Sequence, residues 1–210
     1  MPARPLGRRC FLRLAVVAAM TMAHPAIAGS GADVAAPIRR FYAVLLSVMQ
    51  AGRSVPFTQR FDSLAPALEQ ALDLRAILQG AVGLGWAGFQ PSQQSALQAA
   101  FRRYTVATWV SNFDSYSGQQ LEVQGLRSMG SAQVVHTEIV KVAGTPSVID
   151  YVMRQTDGAW KASDVLLDGS ISQVAVLRSD FRALLAGGPL ALAANLEQKA
   201  TELMGGTAPM

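Results

Sequence analysis

The period of the hydrophobic pattern changes twice along this 210-residue chain, near residue 118 and after Leu167, and the two changes limit the fold more than any motif in it. Before the first, apolar residues recur every three or four positions. After it they alternate with polar ones as far as Leu167, and then the helical spacing returns. Helices, then strands, then helices predict an α+β domain, in which helices pack on one face of an antiparallel sheet.

Asp33 as an N-cap followed by Val34, Ile38, Phe41, Leu45 and Val48 predicts a first helix that stops near Gly52. Phe57, Phe61, Leu64, Leu68 and Leu72 keep the same spacing. Pro66 is expected to divide them into two short helices, because a mid-helix proline forfeits a hydrogen bond and clashes with the preceding turn. A further short helix is expected over 74–80. Four glycines then surround Trp86, and Pro91 opens a long helix through Phe101, Tyr104, Trp109, Phe113 and Tyr116 that ends at Gly118. Four strands follow, over about 121–123, 135–139, 149–153 and 160–167, and the dipeptide Asp157-Gly158 predicts a tight hairpin between the last two. An antiparallel four-stranded meander is the expected topology, with helices over about 171–185 and 189–204 behind it.

The N-terminal segment is read as an export signal. Arg4, Arg8, Arg9 and Arg13 precede an apolar run over 14–22, and Ala26-Ile27-Ala28 supplies a small-x-small cleavage site, so cleavage is expected after Ala28 and residues 29–210 are expected to form a single domain. Arg8-Arg9-Cys10-Phe11-Leu12-Arg13 is similar to a twin-arginine motif, with Gly7 in place of the usual Ser or Thr; the general secretory route is the alternative. Both routes end outside the cytoplasm. Cys10, the single cysteine, would leave with the leader. The net charge of +4 belongs to the same segment, since without those four arginines 14 basic residues face 14 acidic ones. A nucleic-acid partner is therefore not expected. Half of the residues are hydrophobic and 15% charged, which excludes a disordered polyelectrolyte.

Catalytic candidates are few. His136 is the only imidazole after the leader, so a Ser-His-Asp triad and a zinc site with several His or Cys ligands are not expected. No Gly-rich phosphate loop follows a strand. Asp150, Asp157, Asp164 and Asp168 cluster in the strand region, and Asp164 is the one carboxylate that could act as a base in a small-molecule isomerase of the NTF2-like type. Turn formation and cross-strand pairing account for the others. The larger signal is apolar. Phe101, Tyr104, Trp109 and Phe113 spread over more than one face of the long helix, which must be covered by helices on one side and by sheet on the other. Such a sandwich either closes completely or leaves a hollow.

Phe101-Arg102-Arg103-Tyr104, with Phe113, Tyr116 and Gly118, resembles the MlaC family of periplasmic phospholipid carriers. So do Asp150-Tyr151-Val152-Met153-Arg154, the hairpin Thr156-Asp157-Gly158-Ala159-Trp160-Lys161, and the run from Leu166 to Ser172 followed by Arg178-Ser179-Asp180-Phe181. The hopanoid-biosynthesis branch, HpnM, looks most similar. Two departures stand out: Ala159 replaces a common second glycine, and residues 80–89 are unusually rich in glycine.

The resemblance implies a helix-plus-sheet fold and no catalysis. It implies a phospholipid or hopanoid-related cargo, with no cofactor. Implied partners are an inner-membrane MCE-domain protein with its ABC transporter, an outer-membrane lipoprotein and porin complex, and transient contact with membranes. Lipid tails would lie against Phe41, Leu45, Phe57, Phe61 and Leu64 of the first helices, and against Leu78 and Trp86. Phe101, Tyr104, Trp109 and Phe113 would line the long helix, and Ile139, Tyr151, Met153, Val165 and Leu167 the sheet. Arg39-Arg40 and Arg102-Arg103 are candidates for contact with a headgroup or partner, against the plainer role of a solvated helix face. The alternatives are the isomerase and an envelope interaction module with a closed core.

Overall fold

Helix α1 (Ala36–Ala51) buries Ile38, Phe41, Tyr42, Leu45, Val48 and Met49 on one face, as their three- and four-residue spacing requires. The computed structural model to which this helix belongs describes residues 33–205, so the expected export signal lies outside the described residues. A 3-10 turn (Gly52–Ser54) leads into α2 (Phe57–Ala71), which contains Pro66 and is not divided by it. Pro66 and Asp62, whose carbonyl loses its helical donor, are both exposed, so water can serve that carbonyl. Phe61, Leu64, Leu68 and Ala71 are buried on the opposite face and hold both halves of the helix against the core. Burial of that stripe outweighs the roughly 3 kcal/mol that an interior proline costs.

Asp73 caps α3 (Leu74–Val82), its side chain accepting from the Ala76 amide at 2.9 Å. The glycine-rich segment is a 3-10 helix, Gly83–Gly88, with Trp86 buried. Pro91 begins α4 (Pro91–Asn112) behind a capping box made by Gln90 and Gln93. This helix ends earlier than the expected stop at Gly118. Phe113 leaves helical geometry while its ring stacks on Trp109, and Asp114 turns away into an ion pair with Arg53.

The sheet is an antiparallel meander of five strands in the order β1 (Gln120–Met129), β2 (Ala132–Val140), β3 (Ser147–Thr156), β4 (Ala159–Leu167) and β5 (Ile171–Ser172). Asp157 and Gly158 both have positive φ, as a two-residue type I′ hairpin demands, and Thr156 pairs directly with Ala159. The fifth strand corrects the four-strand expectation. Asp168 and Gly169 repeat the positive-φ pair and fold Ile171 back onto Leu167, so Ile171 is strand rather than the first helical residue. Helices α5 (Gln173–Leu185) and α6 (Pro189–Leu203) complete the chain.

Val135, Ile139, Ile149, Tyr151, Met153 and Val165 join the helices in one core. Ala132, Val134 and Val152 form a separate, smaller cluster. Leu72, between α2 and α3, bridges to Ala162 of β4, and the Asp73 amide donates to the Ala162 carbonyl at 2.8 Å. Helix α4 packs on α6, α2 and α3, and its buried side chains share the core with those of the sheet.

Candidate functional site

A cavity of about 340 Å³ lies between α4, the sheet and α5. One face of α4 walls it with Phe101, Tyr104, Thr105, Thr108, Trp109 and Asn112, and Phe113 continues that wall past the helix end. These positions follow the three- and four-residue spacing of a single helical stripe. Ile149, Val165 and Leu167 form the sheet side, Leu72, Leu74 and Ile77 close the end at the α2–α3 junction, and Gln173 and Leu177 contribute from α5. The wall is mostly apolar.

Its aromatic side is braced from behind. Trp109 meets Phe41 edge-on at 5.0 Å between ring centroids and stacks on Phe113 at 5.2 Å, while Phe101 meets Phe181 edge-on. Rings held by other rings keep the cavity from collapsing, because closing it would break those contacts.

Six of the residues expected to touch lipid therefore line the cavity: Phe101, Tyr104, Trp109, Phe113, Val165 and Leu167. The others lie elsewhere. Leu45, Leu64, Leu78, Tyr151 and Met153 are fully buried among core atoms, Phe41 supports Trp109 from the core side, and Phe61, Trp86 and Ile139 are nearly as deep. Phe57 lies under the Arg60 guanidinium at 5.4 Å. Thr105, Thr108 and Asn112 join the wall without having been expected there. Their signal in the sequence is the stripe through Phe101, Tyr104 and Trp109, which passes through these polar positions as well.

Asp164, the candidate base, is committed to local structure. One carboxylate oxygen accepts from the amides of Val165 and Val174, the other from the Ser172 hydroxyl at 2.6 Å. Ser172 in turn caps α5 by accepting from the Ala175 amide. The carboxylate thus braces the start of α5 against β4 at the cavity's edge. His136 is held by Asp150 at 2.6 Å, and Arg127 reaches the other oxygen of the same carboxylate at 3.1 Å.

Next to the cavity, inside the core, the Tyr42 hydroxyl donates to Thr137 Oγ1, which donates to the Ile149 carbonyl. The Tyr151 hydroxyl is buried without a hydrogen-bond partner. Burial raises the pKa of Tyr42 and, more strongly, that of Tyr151, where the neighbouring Tyr42 adds to the effect. Among the described residues no group of three or more His, Cys, Asp or Glu side chains could hold a metal ion, and no helix is long and apolar enough to cross a membrane.

No curated protein matches the chain. A phospholipid-binding protein from Ralstonia solanacearum, solved in complex with a phospholipid, is similar to it in fold, with a TM-score of 0.71 at 20% sequence identity. The match covers 82% of this chain and 99% of that one. The sequence profile of the MlaC protein family matches residues 40–198, from early in α1 into α6. That span takes in every wall of the cavity, and the chain belongs to the MlaC family.

Proposed function

We propose that this protein is a periplasmic lipid carrier that encloses an acyl tail between α4, the sheet and α5. The observation that carries this reading is the apolar, aromatically braced cavity between α4, the sheet and α5, where a closed core would have none. The phospholipid held by the Ralstonia protein of the same fold supports it.

Size sets the cargo. A methylene displaces about as much as a water molecule, roughly 30 Å³ in the liquid, so the cavity holds about eleven. At about 0.8 kcal/mol each, their burial yields about 9 kcal/mol relative to water. That is most of one tail, and a second tail needs room beyond this cavity. A bilayer offers each tail about the same gain, so the enclosed tail is neither trapped nor lost to water, and direction comes from whatever supplies or removes lipid at each membrane. Spontaneous passage is slow because exposed tails enter the barrier; the carrier removes the exposure of the tail it encloses. An inner-membrane MCE-domain protein with its ABC transporter and an outer-membrane lipoprotein and porin complex are the proposed exchange partners. Hopanoid-related lipids, the cargo suggested by the similarity to HpnM, compete with phospholipids in this reading.

Solvent extraction of the purified protein followed by mass spectrometry tests it. Stoichiometric diacyl or triterpenoid lipid is the expected result. Reproducibly empty protein that also fails to take up lipid from micelles overturns the proposal.

A further inference from the structure

A second, polar cavity of about 320 Å³ adjoins the apolar one, and Leu72 and Leu74 wall both. The chain changes character at the boundary. On α4, Phe101 lines the apolar side and Arg102 the polar side. On α3, Leu74 touches both and Arg75 only the polar one. On β4, Lys161 lies beside Ala162, which anchors the α2–α3 junction.

Three cations, Arg75, Arg102 and Lys161, and two acids, Glu69 and Asp73, line this space. The acids are occupied. Asp73 accepts from the Ala76 amide with one oxygen and from the Thr156 hydroxyl with the other, each at 2.9 Å. Glu69 pairs with Arg102. Lys161 donates only to the Glu69 main-chain carbonyl, at 3.0 Å, and neither it nor Arg75 has a carboxylate partner among the described residues. Arg75, whose Nε reaches the Gln79 side-chain oxygen but whose terminal nitrogens are unused, and Lys161, beside the ion-paired Arg102, leave donors that can hold an oxyanion.

We propose that Arg75, Lys161 and Arg102 bind a phosphate group, and that this group is the headgroup phosphate of the lipid whose tail occupies the neighbouring cavity. The second clause rests on the lipid-carrier reading; the first does not. Leu72 and Leu74 border both spaces, so a lipid that crosses at partly exposed Leu74 brings its phosphate to these cations while its tail stays in the apolar cavity. Headgroup recognition then concerns the phosphate and not what it is esterified to.

Phosphatidic acid and diacylglycerol with identical chains, each offered from nonionic-detergent micelles to delipidated protein, separate the parts of this proposal. Wild-type protein is expected to prefer the phosphatidic acid at least tenfold. In the Arg75→Gln, Lys161→Gln double variant that preference should fall to within about twofold, while diacylglycerol binding reads whether the tail cavity is intact. Equal binding of the two lipids by the wild type overturns the headgroup assignment, as does an undiminished preference in the variant. Inorganic phosphate provides the other arm. If it stabilises the wild type and not the variant against heat while no lipid preference exists, the site belongs to free phosphate and the headgroup assignment is overturned. If neither lipid binds, it is the carrier reading that fails.

Discussion

Thr105 is half-exposed on the α4 stripe, lines the cavity and makes no side-chain hydrogen bond, so Thr105→Trp changes the cavity without unpairing a buried polar group. The added indole takes the room of about four of the roughly eleven methylenes. At about 0.8 kcal/mol each, the loss is about 3 kcal/mol, or about two orders of magnitude in tail affinity. The helix itself tolerates Trp at a cost of well under 1 kcal/mol. Titration of the delipidated variant with a fluorescent fatty acid measures the affinity, and quenching beyond that of the wild type, whose Trp109 already lines the cavity, reports whether the introduced side chain points inward. An inward indole with unchanged affinity would refute the assignment of this cavity to the tail. Shorter chains should be affected least, because they need less of the volume that the indole fills.

Pro66→Ala restores an amide to the Asp62 carbonyl and should stabilise the protein by about 1–2 kcal/mol in urea unfolding, the gain being offset in part by the greater freedom of the unfolded chain. Asp164→Ala removes the acceptor of the Val174 amide and the Ser172 hydroxyl and should cost about 1–3 kcal/mol, measured the same way. Tyr151 and Tyr42 both hold their protons more tightly when folded than when unfolded. Their contribution is complete below about pH 10, the unfolded value, and declines above it as the unfolded chain ionises and the folded one does not. Urea unfolding between about pH 8 and pH 11 should therefore show a decline that Tyr151→Phe makes shallower, with little cost at neutral pH because that hydroxyl has no partner.

Much of the fold is legible in the sequence because local signals and tertiary packing agree. The change of period marks where helix gives way to sheet, and Asp157-Gly158 marks the hairpin at which Thr156 meets Ala159. Asp168-Gly169 carries the same signal for the fifth strand. On sequence alone it reads only as a turn, because a two-residue strand leaves no alternation to detect. Pro66 misleads for a different reason: the penalty of a helical proline is local, whereas the stripe that outweighs it acts through contacts with other elements.

The cavity is legible in part. Aromatic residues on several faces of α4 require cover on more than one side, and the question of whether that cover closes is visible in the sequence. Which apolar residues face a void is not. Phe41 and Trp109 have similar size and chemistry, and they touch each other, yet only Trp109 lines the cavity. Burial pattern records that a side chain is shielded from water and not what shields it. Thr105, Thr108 and Asn112 escape a choice guided by side-chain size rather than by position on the stripe.

Photo-crosslinking with a phospholipid that carries a diazirine near the end of one acyl chain tests the central claim most directly. Peptide mapping by mass spectrometry should place the adducts on α4, β4 and α5, at residues such as Tyr104, Thr108, Val165 and Leu177, and Thr105→Trp should suppress them. Adducts confined to exposed apolar residues such as Leu84 and Leu190, with none on the cavity wall, would contradict the claim that a tail lies between α4 and the sheet.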